Sequence, residues 1–524
     1  MSVSTACSSP GRVVSTSSTP AKVEWKRARY DQGFLGGAAL ALGYFAWFVA
    51  RAMAFGHRDG REHFFTAQAI SMLHGSFAVP RQVLSIGPAP NGDECFVIKG
   101  HCLGYFGIAP SAFRIPLLVL TGSRSYRTFP EQPFFLLAFG VLAGGIWWLT
   151  RQLVASWGQQ APAPLVGGLG FALGLGALAA SPILFLASLP LMYQESLLWG
   201  LGFACLGLAS ALSIWLAGTS KVKVATLLFA DLLAMSSQPT LGATALVLTV
   251  LLGVGLGWPG RFPKGWAPRA ACGNLALAAL LIGGALGAFL SAPIVSYAKF
   301  GSLSPPYRDN VVLQGNPSRM AKYLHSGDLN LGVIPTKMFD ALRPDRLAVS
   351  VHHPYFSMDE PPKVPTPIWP ATAADLDWFA NASISATVPF FAVAATIGVI
   401  ALLRRRQVAT ARPATFAALL SALAALLVCL AYPGQTYRYQ VFWLPILFLC
   451  AVVGLAVLAG GFHRFHAWGI AVVAVLALLL ALQLTEQTAL AIGNGITQGT
   501  ATFAACPSAN DPFGELGELF CPVP

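Results

Sequence analysis

Charged residues are scarce in this sequence of 524 residues, since Asp, Glu, Lys and Arg together make up only 10% of it. An ordinary soluble domain carries about 25%. Hydrophobic residues make up 55%. The shortage of charge therefore excludes a typical soluble protein and favours a membrane protein, whose helices are surrounded by lipid. The abundance of Ala, Gly, Leu and Val is compatible with a high-GC bacterium, such as an actinobacterium.

Long apolar runs take the place of the missing charge. A helix needs roughly 20 apolar residues to cross about 30 Å of hydrocarbon, and the sequence predicts an all-α polytopic membrane protein with about 11 transmembrane helices. The predicted spans cover residues 33–54, 133–152, 163–188, 197–217, 224–236, 241–257, 271–297, 383–403, 414–432, 440–460 and 469–485. The fifth and sixth can also be read as one span that Pro239 breaks. Crowded glycines in the third span, between Gly167 and Gly176, predict close helix packing.

The first 24 residues are rich in Ser, Thr and Pro and have no apolar core, so we expect no cleaved signal peptide and a retained first span. Basic residues such as Arg27, Arg151 and Arg404 collect in one set of short connections, against only Glu24 and Asp31. This bias marks the cytoplasmic side. The sequence therefore predicts a multi-pass protein of the cytoplasmic (inner) membrane, with its C-terminus outside. Its parts are a cytoplasmic tail (1–32), a transmembrane domain (33–485), outer loop one (55–132), outer loop two (298–382) and an outer tail (486–524).

The net charge of +12 is explained by the same bias, so nucleic-acid binding is not predicted. Ionisable residues inside the predicted spans are rare, and Asp231 is the one acid among them. A transporter driven by protons or ions usually needs several such residues. Asp231 is interpreted as structural, bonded to a buried hydroxyl or to Gln238, although intramembrane acids are often functional. The spans hold no central His, which argues against a membrane-embedded acyltransferase.

Cysteine is also sparse, but four of the nine fall in the predicted outer segments as two close pairs. In an oxidising compartment these pairs predict two small disulfide loops, although the sequence does not fix their connectivity. A metal site is less well supported, because neither pair has the spacing of a zinc knuckle and only His101 lies beside one of them. The two pairs are Cys95 with Cys102 and Cys506 with Cys521.

Acids and bases are dense directly after the first span, where Arg58, Asp59, Arg61, Glu62 and His63 follow one another closely. A carboxylate at the membrane surface can deprotonate an acceptor hydroxyl, and neighbouring guanidinium groups can bind a phosphate. The alternative is a capping box, with Asp59 as the N-cap and Glu62 three residues later. Both interpretations can hold together.

Two further helices are predicted in loop one. The stretch Arg61–His74 has apolar residues at helical spacing and could lie flat on the membrane. The stretch Tyr105–Leu120 holds two prolines and Arg114, so it is interpreted as an interfacial or re-entrant helix and not as a further span.

The stretch from Asp59 to Gly75, read together with three short motifs, resembles the membrane glycosyltransferases of the C-type superfamily. The motifs are Tyr193-Gln-Glu195, Ser296-Tyr-Ala-Lys-Phe-Gly301 and Tyr437-Arg438-Tyr439. The resemblance implies transfer of a sugar from a polyprenyl-phosphate donor to a glycan, lipid or protein acceptor at the outer membrane surface, with inversion.

The resemblance also implies roles for individual residues. Asp59 would be the base, with Glu62 as its substitute. Many relatives carry two adjacent acids, whereas here Arg58 precedes Asp59, so no metal and no other cofactor is assigned. The donor phosphate would be bound by Arg438 with Arg58, Arg61 or Lys299, and the sugar or acceptor by His63, Glu195, Tyr193 and Tyr437.

Each of these roles has an alternative. Arg438 and Tyr437 could anchor the tenth span at the interface, and Glu195 could cap the fourth span. Two other functions compete with transfer. One is a transporter or lipid flippase without covalent chemistry, which the scarcity of intramembrane charge disfavours. The other is a scaffold whose outer loops bind a partner.

Overall fold

The computed structural model of the protein describes most of the chain. The described residues are 20–55, 63–84, 95–158, 160–188, 191–258, 268, 274–306, 309–310, 314, 317–327, 329–343, 345–349, 356–358, 377–378, 382–404, 411–432, 434–461 and 466–497.

Helices dominate the fold, and long apolar ones form its body. In chain order the helices are α1 (Pro20–Phe55), α2 (Phe64–Leu73), α3 (Ala109–Ala112), α4 (Ile115–Thr121), α5 (Gln132–Trp157), α6 (Ala163–Leu178), α7 (Pro182–Ala187), α8 (Met192–Ala217), α9 (Lys221–Ser237), α10 (Pro239–Gly257), α11 (Leu275–Phe300), α12 (Pro317–Ser326), α13 (Ile334–Leu342), α14 (Ile384–Thr387), α15 (Pro389–Arg404), α16 (Ala411–Ala431), α17 (Leu444–Gly461) and α18 (His466–Thr497). A 3-10 helix, Tyr437–Trp443, leads into α17.

The strands found among the described residues are short and lie in three separate pairs. They are β1 (Phe96–Ile98), β2 (His101–Leu103), β3 (Ala348–Val349), β4 (Phe356–Ser357), β5 (Asp377–Trp378) and β6 (Gly434–Gln435). The first two form an antiparallel hairpin in which Val97 faces Cys102. The pair β3 and β4 is antiparallel, and β5 and β6 are parallel.

The protein is an all-helical, multi-pass membrane protein, as the sequence predicted. Among the described residues, eight helices are long and apolar enough to cross a membrane. The remaining three predicted spans correspond to the shorter helices α6, α9 and α15, which have 16, 17 and 16 residues. The predicted third span is broken, because Ser181 adopts an extended conformation before Pro182 and starts the separate helix α7. The predicted fifth and sixth spans are two helices, with extended Gln238 between them.

Helices α1 and α6 pack through glycines, as the crowding of glycine predicted. A Cβ added to Gly170 would lie 2.4 Å from the carbonyl oxygen of Tyr30, and one added to Gly37 would lie 2.4 Å from that of Phe171. The missing side chains thus let the two backbones meet. Gly168 is different, since a Cβ there would meet nothing within 4 Å.

Asp231 lies in the helix interior, where its Oδ2 accepts a hydrogen bond of 2.7 Å from the hydroxyl of Thr249. Its other oxygen faces Gly207, at which an added Cβ would come within 3.2 Å of it. The bond to a buried hydroxyl agrees with the structural interpretation of this acid. Gly207 therefore leaves the room that the carboxyl group occupies.

The described residues of loop one pack against one end of the bundle. The prediction of a helix after the first span is confirmed by α2, but Phe64 to Ala69 are buried within protein instead of facing lipid, because they pack with Val83, Phe106 and Met192. The predicted re-entrant helix consists of two short helices, α3 and α4. A disulfide joins Cys95 and Cys102 across the β-hairpin, which confirms the first predicted pair.

Candidate functional site

Arg114 lies between α3 and α4 and is fully buried. Its guanidinium group bridges two carboxylates from different helices. Nη2 donates to Oε2 of Glu131, at 2.5 Å, and to Oε2 of Glu195, at 2.9 Å. Nη1 donates to Oε1 of Glu195 at 2.8 Å and to the carbonyl oxygen of Pro110 at 2.9 Å. We call Arg114, Glu131 and Glu195 the buried charge cluster. It joins loop one to the starts of α5 and α8.

Opposite charges favour the ionised forms of Glu131 and Arg114. Burial opposes ionisation of Glu131, but the nearby Arg114 and the hydrogen bonds from His63 and Thr66 outweigh it and lower the pKa of the carboxyl group. Burial likewise disfavours the guanidinium of Arg114, yet the two carboxylates raise its pKa above the usual value. One cation faces two carboxyl groups, so a neutral cluster needs one further proton.

The start of α2 is fastened to the buried charge cluster. His63 Nδ1 lies 3.2 Å from Oε1 of Glu131, and the hydroxyl of Thr66 donates to the same oxygen at 2.5 Å. His63 directly follows Glu62 in the chain. The described residue closest in sequence to the acidic stretch of loop one is therefore held by a buried acid directly before α5.

The first turn of α8 carries two residues that the sequence proposed for the site. Both oxygens of Glu195 accept hydrogen bonds from Arg114, and Oε1 also accepts one of 3.1 Å from Nε1 of Trp199. The guanidinium carbon of Arg438 lies 4.1 Å from the centre of the Tyr193 ring, a cation–π contact. The Tyr193 hydroxyl is buried and has no hydrogen-bond partner among the described residues.

A second cation lies near the same turn. Lys299, at the end of α11, is buried, and its Nζ donates to the carbonyl oxygens of Gly104 at 3.1 Å and Phe106 at 2.6 Å. No acidic partner of Lys299 exists within the described part of the chain. The ring of Phe106 packs edge-on against that of Tyr193, with the ring centres 4.9 Å apart. Lys299 and Arg438 thus contact two residues that touch each other.

Tyr437 has a different environment from its neighbour Arg438. It is fully buried, its hydroxyl donates to Oε1 of Gln487 at 3.1 Å, and its ring packs edge-on against Phe185 at 4.8 Å. These contacts link the start of the 3-10 helix to α18 and α7. A role for Tyr437 in binding sugar stays a prediction.

The structure therefore brings together His63, Glu195, Tyr193, Lys299 and Arg438, which all lie around the start of α8 and the underside of loop one. The proposed base Asp59, its substitute Glu62, and Arg58 and Arg61 lie outside the described residues, as do Cys506 and Cys521. Where side chains are described, no three His, Cys, Asp or Glu residues lie together as metal ligands.

Sequence reasoning missed Glu131 and the part that Arg114 plays. Arg114 served only as a reason to reject a transmembrane span. The available signal was a lone arginine in an apolar, proline-containing stretch, because a cation in such surroundings needs a buried acid as partner. The sequence could not say that the partners are Glu131, 17 residues away, and Glu195, 81 residues away.

A separate cavity of about 790 Å³ lies between α6, α15, α17 and α18. Its lining is entirely apolar and includes Leu165, Phe171, Leu458, Val473 and Leu480. Such a lining cannot supply an acid, a base or a hydrogen bond from a side chain. The cavity suits hydrocarbon, and the chemistry must lie elsewhere.

No protein-family model matches the sequence, and no curated protein matches it. Two solved structures of the oligosaccharyltransferase from Archaeoglobus fulgidus are similar in fold at 11% sequence identity. The apo form has a TM-score of 0.40, with 92% of this chain and 59% of that chain covered. The complex with Zn and sulfate has a TM-score of 0.39, with 92% and 56% covered. This chain thus spans between half and two thirds of the length of that oligosaccharyltransferase.

Proposed function

We propose that this protein is a membrane glycosyltransferase, which moves a sugar from a polyprenyl-phosphate donor to an acceptor on the outer side of the cytoplasmic membrane. The observation that carries the proposal is that two cations each contact one of two adjoining residues at the start of α8. Lys299 and Arg438 contact the adjoining residues Phe106 and Tyr193. A lysine buried beside carbonyl oxygens, without an acid among the described residues, favours an anionic ligand.

The donor phosphate is the anion that these cations fit. Arg438 offers a planar fork of donors, which suits the oxygens of a phosphate. Lys299 uses two of its three N–H groups on carbonyl oxygens and keeps one for the ligand. The buried Tyr193 hydroxyl, which has no partner among the described residues, adds a further hydrogen-bonding group.

The reaction needs a base beside this phosphate site, and Asp59 is our candidate. Its carboxylate takes the proton from the acceptor hydroxyl. The acceptor oxygen then attacks the anomeric carbon from the side opposite the phosphate, and the carbon–oxygen bond to the phosphate breaks. The bond electrons leave with the polyprenyl phosphate, so the configuration inverts. Arg438 and Lys299 stabilise the negative charge that grows on the leaving oxygen.

The buried charge cluster supports this arrangement without touching the substrate. It fixes α2 and the α3–α4 corner against α5 and α8 through Glu131 and Glu195. His63 extends this fixation to the residue that follows Glu62. Because both oxygens of Glu195 are engaged by Arg114, we propose that Glu195 positions the loop, and that its neighbour Tyr193 faces the donor.

The test uses purified protein in lipid vesicles with a panel of radiolabelled polyprenyl-phosphate sugars. Asp59→Asn should lower the transfer rate by about 10²–10⁴-fold, the usual contribution of a general base, while Glu62→Gln should cost less. The matched control is Asp345→Asn in loop two, whose carboxylate is exposed and paired with Arg343, and which should transfer at the normal rate. Full activity of Asp59→Asn would overturn the assignment of the base. Counterflow of a substrate without any covalent product would overturn the enzyme.

A further inference from the structure

One face of α18 carries four buried polar residues, and three of them have clear partners. Gln483 donates to the carbonyl oxygen of Ala180 and accepts from the backbone N–H of Phe391. Gln487 donates to the carbonyl oxygen of Thr387, at 2.9 Å. Asn494 donates to the hydroxyl of Ser188, at 3.0 Å. Each amide thereby joins α18 to a neighbouring element. The fourth residue is Glu486.

Glu486 is the exception on this face. Glu486 is only 5% exposed, yet its Oε2 atom accepts no hydrogen bond from any described residue. No ion pair compensates it within the described ranges. Buried carboxylates in folded proteins are nearly always hydrogen-bonded. A buried carboxylate oxygen without a partner among the described residues is available to a ligand.

Glu486 lies at the depth of the proposed phosphate site. Tyr437 bonds to Gln487, the next residue of α18, and lies within electrostatic reach of Glu486. Arg438, which follows Tyr437, covers the ring of Tyr193. Helix α18 continues to Thr497, and eleven further residues at 1.5 Å each extend it by about 16 Å. Glu486 thus lies well below the end of α18, at the level where the segment Tyr437–Trp443 begins.

The surroundings of Glu486 select the class of ligand. Tyr437, which lies within electrostatic reach of Glu486, and Leu490, one turn further along α18, belong to an aromatic and apolar cluster with Phe185. No group of three His, Cys, Asp or Glu residues that could hold a metal lies in the described part of the chain. A carboxylate beside aromatic rings is suited to bind a molecule with hydroxyl donors and apolar C–H faces, and a sugar has both. A bare phosphate would be repelled by the carboxylate.

We propose that Glu486 accepts hydrogen bonds from hydroxyl groups of the donor sugar, at the floor of the site whose phosphate contacts Arg438. This inference rests on the proposed transfer function, since it names the sugar-binding residue of the same site. Glu486 selects donors that carry a free hydroxyl at the matching ring position. It does not take part in bond making or breaking.

The kinetic test pairs an isosteric variant with a modified donor. Glu486→Gln removes the charge and keeps the volume. Thr485→Ala in the same turn is the matched control, because Thr485 is exposed and, among the described residues, its hydroxyl bonds to Ala481 of its own helix alone. We expect Glu486→Gln to raise KM for the donor at least tenfold with a smaller change in kcat. With a donor that lacks the recognised hydroxyl, the KM of the wild type should rise by a similar factor, whereas the KM of the variant should rise little further. If every deoxy donor raises KM by the same factor in the wild type and in the variant, the proposal is overturned.

A labelling experiment separates this inference from the proposed reaction. Dicyclohexylcarbodiimide modifies protonated carboxyl groups in apolar surroundings, and mass spectrometry of the peptide around Glu486 measures the rate. A polyprenyl-phosphate sugar should slow the labelling several-fold more than polyprenyl phosphate without sugar, even if no transfer is ever detected. Transfer activity together with equal protection by the two lipids would leave the reaction standing and refute the role of Glu486.

Discussion

Removal of the charge of Arg114 is the perturbation with the clearest expected effect. Arg114 is fully buried and donates hydrogen bonds to Glu131, Glu195 and the carbonyl oxygen of Pro110. The isolated change Arg114→Gln leaves two buried carboxyl groups without their cation. Loss of one partner of a buried ion pair costs about 3–5 kcal/mol. We therefore expect Arg114→Gln to lower the free energy of unfolding by about that amount.

The neutral triple variant provides the decisive comparison. Arg114→Gln combined with Glu131→Gln and Glu195→Gln replaces the cluster by amides of similar size, so no uncompensated charge remains. Neutral replacements of buried ion pairs are often close to the wild type in stability. The triple variant should therefore be more stable than the single variant, although it carries more substitutions. If the triple variant loses as much stability as the three single variants together, the electrostatic account of the cluster is refuted.

Thermal unfolding in one detergent, followed by size-exclusion chromatography, measures these differences. For a cooperative unit of about 200 residues, 3–5 kcal/mol corresponds to a fall of roughly 7–12 °C in the midpoint. The control is Arg151→Gln, because Arg151 pairs with Asp31 while both remain partly exposed. Exposed pairs contribute about 0–1 kcal/mol, so the control should unfold within about 2 °C of the wild type. If the midpoint of Arg151→Gln falls as far as that of Arg114→Gln, burial of the ion pair is not the cause of the loss in stability.

Two further predictions concern stability. Burial lowers the pKa of Lys337 from 10.5 to about 8, so between those values the unfolded chain binds a proton that the folded chain lacks. The free energy of unfolding should therefore rise across that window by up to about 1.4 kcal/mol per pH unit. Thermal unfolding midpoints measured from pH 7 to 10 should rise less for Lys337→Met than for the wild type. Equal dependence of the midpoint on pH in the two proteins would contradict this account. Gly37→Ala should cost about 1–3 kcal/mol by overpacking, whereas Gly168→Ala, with open space at its Cβ, should be neutral or stabilising in the same assay.

The helices could be predicted from the sequence because apolar length is a local property. Each predicted span corresponds to a helix, and the break before α7 follows from Ser181 and Pro182, which are neighbours in the chain. The packing of loop one could not be predicted in the same way. Its first helix has the apolar pattern of a surface helix, but Phe65 packs in one cluster with Cys102 of β2, Phe106 and Met192 of α8, which are distant from it in sequence.

Prediction of the candidate site succeeded for single residues and failed for their partners. Lys299, Arg438, Tyr193 and Glu195 were chosen through short motifs, and the structure places them around one helix start. The pairing of Arg114 with Glu131 depends on how two loops fold back, which no local spacing encodes. The sequence predicts Glu486 in the outer tail, because the apolar run ends at residue 485, whereas α18 continues to Thr497.

Loop one is bonded to the bundle at several independent points. Arg114 ties it to α5 and α8, Lys299 ties the backbone at Gly104 and Phe106 to α11, and Gly107 lies directly against the carbonyl oxygen of Ser236 at the end of α9. Any hinge motion of loop one would break buried charge contacts on two sides at once. The described part of loop one is thus held fixed against the bundle. In the proposed reaction, the donor must therefore enter, and the product must leave, past other parts of the outer surface.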